Sequence, residues 1–305
     1  MKKTQVTKVN PKNDLLFKKV FASPKNSHIL IGFLQDLLGL EVSDVTIENP
    51  YNIDVFRKGF NANEPYHTEV DLVARLQDQT LVTIEMQVSS QTYFLERSLL
   101  YLSEKFVSNY GRLSAMDPAV SDHQEKYSSL KPTYSINILD FNLFQEYPEA
   151  IHEYTMFDIR NQRILVTKDG KPIFNASFFE LSKQIDEDTP QNIKEWFAYF
   201  NNQIVSETAP AYIHEAVEII QYHNLEKEEK TMLDALEKAK ADYDARMIFE
   251  KTTSKTEGRE EGKEEGREEE RIKIAKNMLA KQCDRGFIIE MSGITERELA
   301  ELETR

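Results

Sequence analysis

Residues 66 to 88 read YHTEVDLVARLQDQTLVTIEMQV. Val70, Leu72, Ala74 and Leu76 alternate with Glu69, Asp71, Val73 and Arg75. Gln77, Asp78 and Gln79 interrupt the alternation, and a second run from Leu81 to Val88 is rich in β-branched and apolar residues. Alternation on both sides of a short polar break predicts a β-hairpin. A turn centred on Asp78, with no bulge in either strand, pairs Asp71 with Glu85 and Glu69 with Gln87. Residues two apart on a strand share a face, so all four side chains point the same way.

Opposed side chains on antiparallel strands have Cβ atoms roughly 4.5–5.5 Å apart, and like charges there destabilise the sheet. A hard divalent cation would turn that repulsion into a site, because Mg²⁺ takes carboxylate oxygens, often one or two together with water and a substrate phosphate. A sheet face open to water, with the carboxylates leaning apart, accounts for the same residues. The residues themselves leave both readings open.

The flanks narrow the choice. Asp71, thirteen further residues, then Glu85-Met86-Gln87 resembles the signature of the PD-(D/E)XK nucleases. Lys12-Asn13-Asp14-Leu15-Leu16-Phe17-Lys18, with Arg97 and Tyr101 beyond the hairpin, resembles the recombination-promoting nuclease/transposase (Rpn) family over residues 10 to 250. The resemblance implies an α/β fold: a restriction-endonuclease-like core, with a mixed central sheet flanked by helices, and a helical C-terminal extension. It implies DNA cleavage dependent on Mg²⁺ or Mn²⁺ and tied to recombination or transposition. Asp71 and Glu85 would be the metal ligands, with the Met86 carbonyl a candidate third. Gln87 stands where many superfamily members carry Lys. Asp14 has two readings: a helix cap, or the acid that such nucleases often aim at the metal from their first helix. Arg97 and Tyr101, four apart, could meet a DNA phosphate or simply pack on each other.

Composition sets limits. The 305 residues suffice for one large or two small domains. No apolar run follows the basic start or approaches the roughly 20 residues needed to span a bilayer, which predicts neither secretion nor a membrane partner. The single cysteine, Cys283, excludes an internal disulfide and suits the cytoplasm. Six histidines show no zinc spacing. A net charge of −14 is awkward for a DNA-binding chain. Residues 1 to 60, however, hold nine Lys/Arg against six Asp/Glu, so Lys12, Lys18, Lys19 and Lys25 are the expected DNA grip, unless they form an ordinary solvated face.

In chain order, residues 1 to 11 read as a loose arm. Helices are expected from Asn13 or Asp14 to Ala22 and from Ser27 to Gly39, and an extended segment from Val42 to Phe56. A helix capped within Ser89 to Thr92 should reach Tyr110. Tyr134 to Phe144 reads as a core strand, with smaller strands at 153–159 and 163–167. Helices should begin at Pro190 and Pro210, and another should cover 226–250. These elements make residues 1–250 one nuclease-like domain. Residues 257 to 270, EGREEGKEEGREEE, balance Glu/basic pairs against glycines, and 251–271 read as a marginal helix or linker. Residues 272–305 have the rhythm of a helix-turn-helix, broken at Gly286 and Ser292-Gly293. Thr295 to Glu298 forms a capping box for a last helix. That helix is mostly acidic, a poor reader of a DNA groove, so its expected use is homodimerisation or partner docking.

One reading of a different class stands beside the nuclease: a degenerate nuclease fold kept as a binding or regulatory module that oligomerises through its tail. Acidity and Gln87 favour it; the intact acids Asp71 and Glu85 oppose it.

Overall fold

The hairpin forms in the expected register. Strand β2 (Leu72–Leu76) runs antiparallel to β3 (Leu81–Gln87), pairing Leu72 with Ile84, Val73 with Thr83, Ala74 with Val82 and Arg75 with Leu81. Asp78 closes the turn by accepting from the Thr80 N–H at 3.0 Å, and Gln79 takes a positive φ of 70°. The computed structural model describes residues 9–59, 71–110 and 126–303. Glu69, Val70 and most of the expected N-terminal arm lie outside the described residues.

Six strands make one mixed sheet. β1 (Val45–Ile47) flanks β2, and β3 pairs in parallel with β4 (Thr133–Leu139). β4 is parallel to β8 (Phe174–Glu180), which β5 (Ile151–Thr155) edges antiparallel. β6 (Phe157–Asp158) and β7 (Arg163–Ile164) form a separate ribbon. Parallel neighbours need a crossover, and a helix usually supplies it. Here α4 (Phe94–Ser108) lies between β3 and β4 in the chain.

Each sheet face has its own cover. Leu72, Ala74, Val82, Ile84, Met86, Ile136 and Ile138 point to the larger core. On that side pack α1 (Asp14–Phe21), α2 (Ser27–Leu38), α5 (Gln191–Phe200), α6 (Ala211–Ile219) and the start of α7 (Lys227–Ala280). Phe21, Phe33, Trp196 and Phe200 stack there with centroids 4.8–6.2 Å apart. Asp36 anchors the layer by accepting from Trp196 Nε1 at 2.9 Å and Tyr212 OH at 2.8 Å. Phe94 and Leu102 of α4 cover the other face with Leu139, Ala176 and Phe178.

Two expectations change, and one strand is added. The segment 42–56 is extended only at β1. Asn52 then accepts from the Asp54 and Val55 N–H groups and starts α3 (Ile53–Gly59). No side chain of Ser89 to Thr92 caps α4; its N-cap is Tyr93, at φ 62°. The added strand is β8, where Asn175 and Ser177 break the apolar pattern while both faces are covered.

The described residues divide into two compact units, one ending at Leu236 and the other running from Glu237. The low-complexity run is helical within α7. The second unit has its own small core of Ala275, Ile288, Ile294 and Leu299. Asp284, not Gly286, marks its first break, accepting from the Gly286 N–H at 2.9 Å to begin α8 (Arg285–Ser292). Gly293 ends that helix at φ 70°. The capping box forms as expected: the Thr295 N–H reaches Glu298 at 2.6 Å and the Glu298 N–H reaches Thr295 Oγ1 at 3.3 Å, at the start of α9 (Glu296–Glu303). Among the described residues no helix is long and apolar enough to cross a membrane.

Candidate active site

Because Ile84 and Met86 turn into the main core, Glu85 and Gln87 turn to the α4 side, as the strand period requires. Asp71 sits one residue before β2, at the same end of the hairpin. It is not solvated: Asp71 is 7% exposed, and Glu85 and Gln87 are 5% each. The open-face reading of the acids therefore fails. Buried carboxylates need partners, and each has them.

Asp71 Oδ2 accepts from the Met86 N–H at 2.6 Å, which ties the carboxylate to the β3 backbone. Its Oδ1 lies 3.9 Å from the ammonium of Lys18, which stands 3.2 Å from Asp14 Oδ1. Asn13, not Asp14, caps α1, accepting from the Leu15 N–H at 3.0 Å. Asp14 is thus left to face the site. Its Oδ1 is buried and makes no hydrogen bond.

Glu85 is held by Arg97 of α4. The guanidinium Nη2 donates to Glu85 Oε1 at 2.6 Å and to Gln87 Oε1 at 3.0 Å, while Nη1 donates to Gln91. Gln87 Nε2 donates to the Ser89 carbonyl at 3.0 Å. Arg97 also lies over Phe94 and Tyr101, with centroid distances of 5.1 and 6.0 Å. Arg97 therefore belongs to the site, and Tyr101 is its aromatic neighbour.

Burial pushes the Asp71 carboxyl well above the usual carboxylate range, and the nearby Asp14 charge adds to this. Lys18 and the Met86 N–H pull the other way, and Glu85 contributes least. Burial also raises Glu85, against the opposing pull of Arg97. The hairpin register anticipated repulsion between Asp71 and Glu85. The stronger carboxylate neighbour of Asp71 is Asp14, a residue far away in sequence.

The lysines divide. Lys18 is at the site. Lys12 bonds Asp140 at 2.6 Å, Lys19 bonds the buried Glu229 at 2.5 Å, and Lys25 is exposed. Sequence reading had no signal for the Asp140 and Glu229 partners, each more than a hundred residues distant.

By type, the carboxylate oxygens of Asp71, Glu85 and Asp14 are those that a hard divalent cation takes. Among the described residues, no three His, Cys, Asp or Glu side chains are grouped closely enough to hold a metal in this arrangement. Lys18 and Arg97 supply the positive charge instead.

Residues 11–250 match the family model described as PD-(D/E)XK nuclease family transposase. Residues 268–304 match the Rpn/YhgA-like nuclease family C-terminal helix-turn-helix domain. The second match supports DNA binding by the tail, the reading that the acidity of its last helix had argued against. No curated protein and no solved structure matches the chain. A six-stranded mixed sheet between helices, Asp71 and Glu85 at one end of its hairpin, and a match over residues 11–250 agree: the chain belongs to the PD-(D/E)XK nuclease family transposases, in their Rpn branch.

Proposed function

We propose that the chain is a Mg²⁺- or Mn²⁺-dependent DNA endonuclease that hydrolyses phosphodiester bonds in recombination or transposition. The observation that carries this reading is the buried Asp71, whose carboxylate and that of Asp14 share one ammonium, Lys18 Nζ, at 3.9 and 3.2 Å. Asp71 and Glu85 would hold the metal, with Asp14 nearby. Bound there, a divalent ion polarises a phosphoryl oxygen and lowers the pKa of a bound water.

The chain's own residues prepare that site. The Met86 N–H fixes the Asp71 carboxylate in one orientation. Arg97 holds Glu85 and Gln87 together. Gln87 has a neutral amide, which can orient a hydroxyl or water but cannot serve as a base at neutral pH. The tail would add DNA contacts and join two copies. The lone Cys283 fits a reducing cytoplasm.

A non-catalytic binding module is the second reading, favoured by the ion pair that Arg97 makes with Glu85 Oε1. One experiment separates the two: thermal melts of the full chain in chelator, Mg²⁺ and Mn²⁺, alongside nicking of supercoiled plasmid. A metal-dependent rise in Tm with metal-dependent nicking supports the nuclease. DNA binding with neither effect supports the module.

A further inference from the structure

A phosphodiester under attack gathers negative charge on its non-bridging oxygens, and a fixed cation beside them lowers the barrier. Gln87 offers no charge. The Arg97 guanidinium is committed to Glu85, Gln87 and Gln91. Lys19 is tightly paired, and its cavity sets Glu215, Glu218, Glu226 and Glu229 against Lys19 and Lys25, a net negative lining that disfavours phosphate.

Lys18 is placed differently. Its contacts to Asp14 and Asp71, 3.2 and 3.9 Å, are longer than charge-assisted hydrogen bonds. With Asp71 it walls a cavity of about 310 Å³, in which Asp71 is the only carboxylate among the described lining residues. The ammonium lies 5.7 Å from the centre of the Phe56 ring on that wall. An ammonium carries three donors on a flexible stem, so it can keep Asp14 and still meet a further oxygen.

We propose that Lys18 is the phosphate-binding cation of the site: delivered from α1, its ammonium contacts a non-bridging oxygen of the scissile phosphate where that phosphate lies against Asp71. The proposal rests on the nuclease reading and narrows the role of Lys18 from a general DNA contact to one at the reacting group.

The test uses the full chain with Lys18→Gln, which removes the charge but keeps a polar group for Asp14, and Lys18→Arg, which keeps the charge. Three quantities are read: Tm shift with Mn²⁺ in the absence of DNA, affinity for a duplex by anisotropy, and single-turnover cleavage at saturating duplex with Mn²⁺. Lys18→Gln should cut about 100-fold more slowly, keep its Mn²⁺ shift and bind duplex within about threefold of wild type. Lys18→Arg should retain at least about a tenth of the wild-type rate.

Cleavage by Lys18→Gln within about threefold of wild type overturns the proposal. So does a rate loss matched by an equal loss of duplex affinity, which makes Lys18 an ordinary groove contact. Equal inactivity of both variants with loss of the Mn²⁺ shift also overturns it, because Lys18 would then only hold the acids in place. A wild-type chain that neither responds to Mn²⁺ nor cuts refutes the nuclease reading itself, and this proposal with it.

Discussion

Arg97, partly exposed, forms an ion pair with the buried Glu85, 2.6 Å from Nη2 to Oε1, between the first turn of α4 and the last residues of β3. Removing one partner of such a pair leaves a charge without compensation and typically costs 3–5 kcal/mol, far more than a surface bridge. Arg97→Gln should therefore lower stability in chelator by about 3 kcal/mol. The same change removes a cation that competes for Glu85, so Mn²⁺ should bind more tightly and restore part of the loss through mass action. Urea melts with and without Mn²⁺ read both effects. A variant as stable as wild type in chelator would show the pair to be energetically neutral.

Gln87 spends its amide on two contacts, receiving Arg97 and donating to Ser89. Its expected role of orienting a water is thereby joined to one of positioning Arg97. Gln87→Ala should slow cleavage about tenfold while leaving the Mn²⁺ midpoint within about threefold. Installing a lysine should not improve the enzyme. In Gln87→Lys an ammonium would stand beside the Arg97 guanidinium, and like charges in a buried site repel strongly. A lower Tm in chelator and no gain in rate are expected. A faster Gln87→Lys enzyme would mean that Arg97 has room to move aside.

What the sequence disclosed was local. The hairpin register could be derived because alternation and a polar turn fix it within 23 residues. The capping box at Thr295 and the terminator Gly39, at φ 63°, followed from rules that span four residues or fewer. What remained hidden needed the third dimension. Nothing near Arg97 in the sequence signals that it would turn onto Glu85 twelve residues earlier. Nothing near Lys19 points to Glu229. Strand β8 was hidden because its polar residues are bonded inside the sheet: the buried Ser177 donates from Oγ to Asn175 Oδ1 at 2.9 Å, and its carbonyl accepts from Asn137 Nδ2 of β4 at 3.1 Å. A strand covered on both faces lacks the alternation by which half-buried strands are recognised.

The tail gives a prediction of its own. The first compact unit closes at Leu236, with Met232, Leu233 and Leu236 of α7 in its core. A chain ending at Glu250 keeps all three and should unfold with a cooperative transition like that of the first unit in the full protein. It lacks the helix-turn-helix, so duplex affinity should fall and depend less steeply on salt. We also expect the full chain to be a dimer and the shortened chain a monomer by light scattering. Equal masses would remove oligomerisation from the tail's role and leave DNA binding alone.

Asp71 ties the site to pH. Its carboxyl is raised above an ordinary value of 3.8 chiefly by burial, then by Asp14. A raised folded pKa means that the native protein holds the proton more tightly than the unfolded chain. Well below the ordinary value both states are protonated, and the buried acid imposes no charge penalty. As pH climbs past that value the unfolded chain releases its proton first, so stability falls, and it keeps falling until the folded pKa is passed. Glu85 acts in the same direction, while Asp78 and Glu229, whose pKa values are lowered, act in the opposite one. The wild-type curve alone would therefore mix several groups. Its difference from Asp71→Asn isolates one of them. Asn can still accept the Met86 N–H and carries no charge, so the variant should match wild type in acid and melt higher at neutral pH in chelator. The expected gain is about 1 kcal/mol, or roughly 2–4 °C for a unit of this size. Mn²⁺ should stabilise the variant less than wild type, and cleavage should be lost. The readout is Tm against pH from 3 to 8 for both proteins, in chelator and in Mn²⁺. A variant that melts lower than wild type at neutral pH in chelator would mean that Lys18 and Met86 already compensate the Asp71 charge, so that the site stores no electrostatic strain for a metal to relieve.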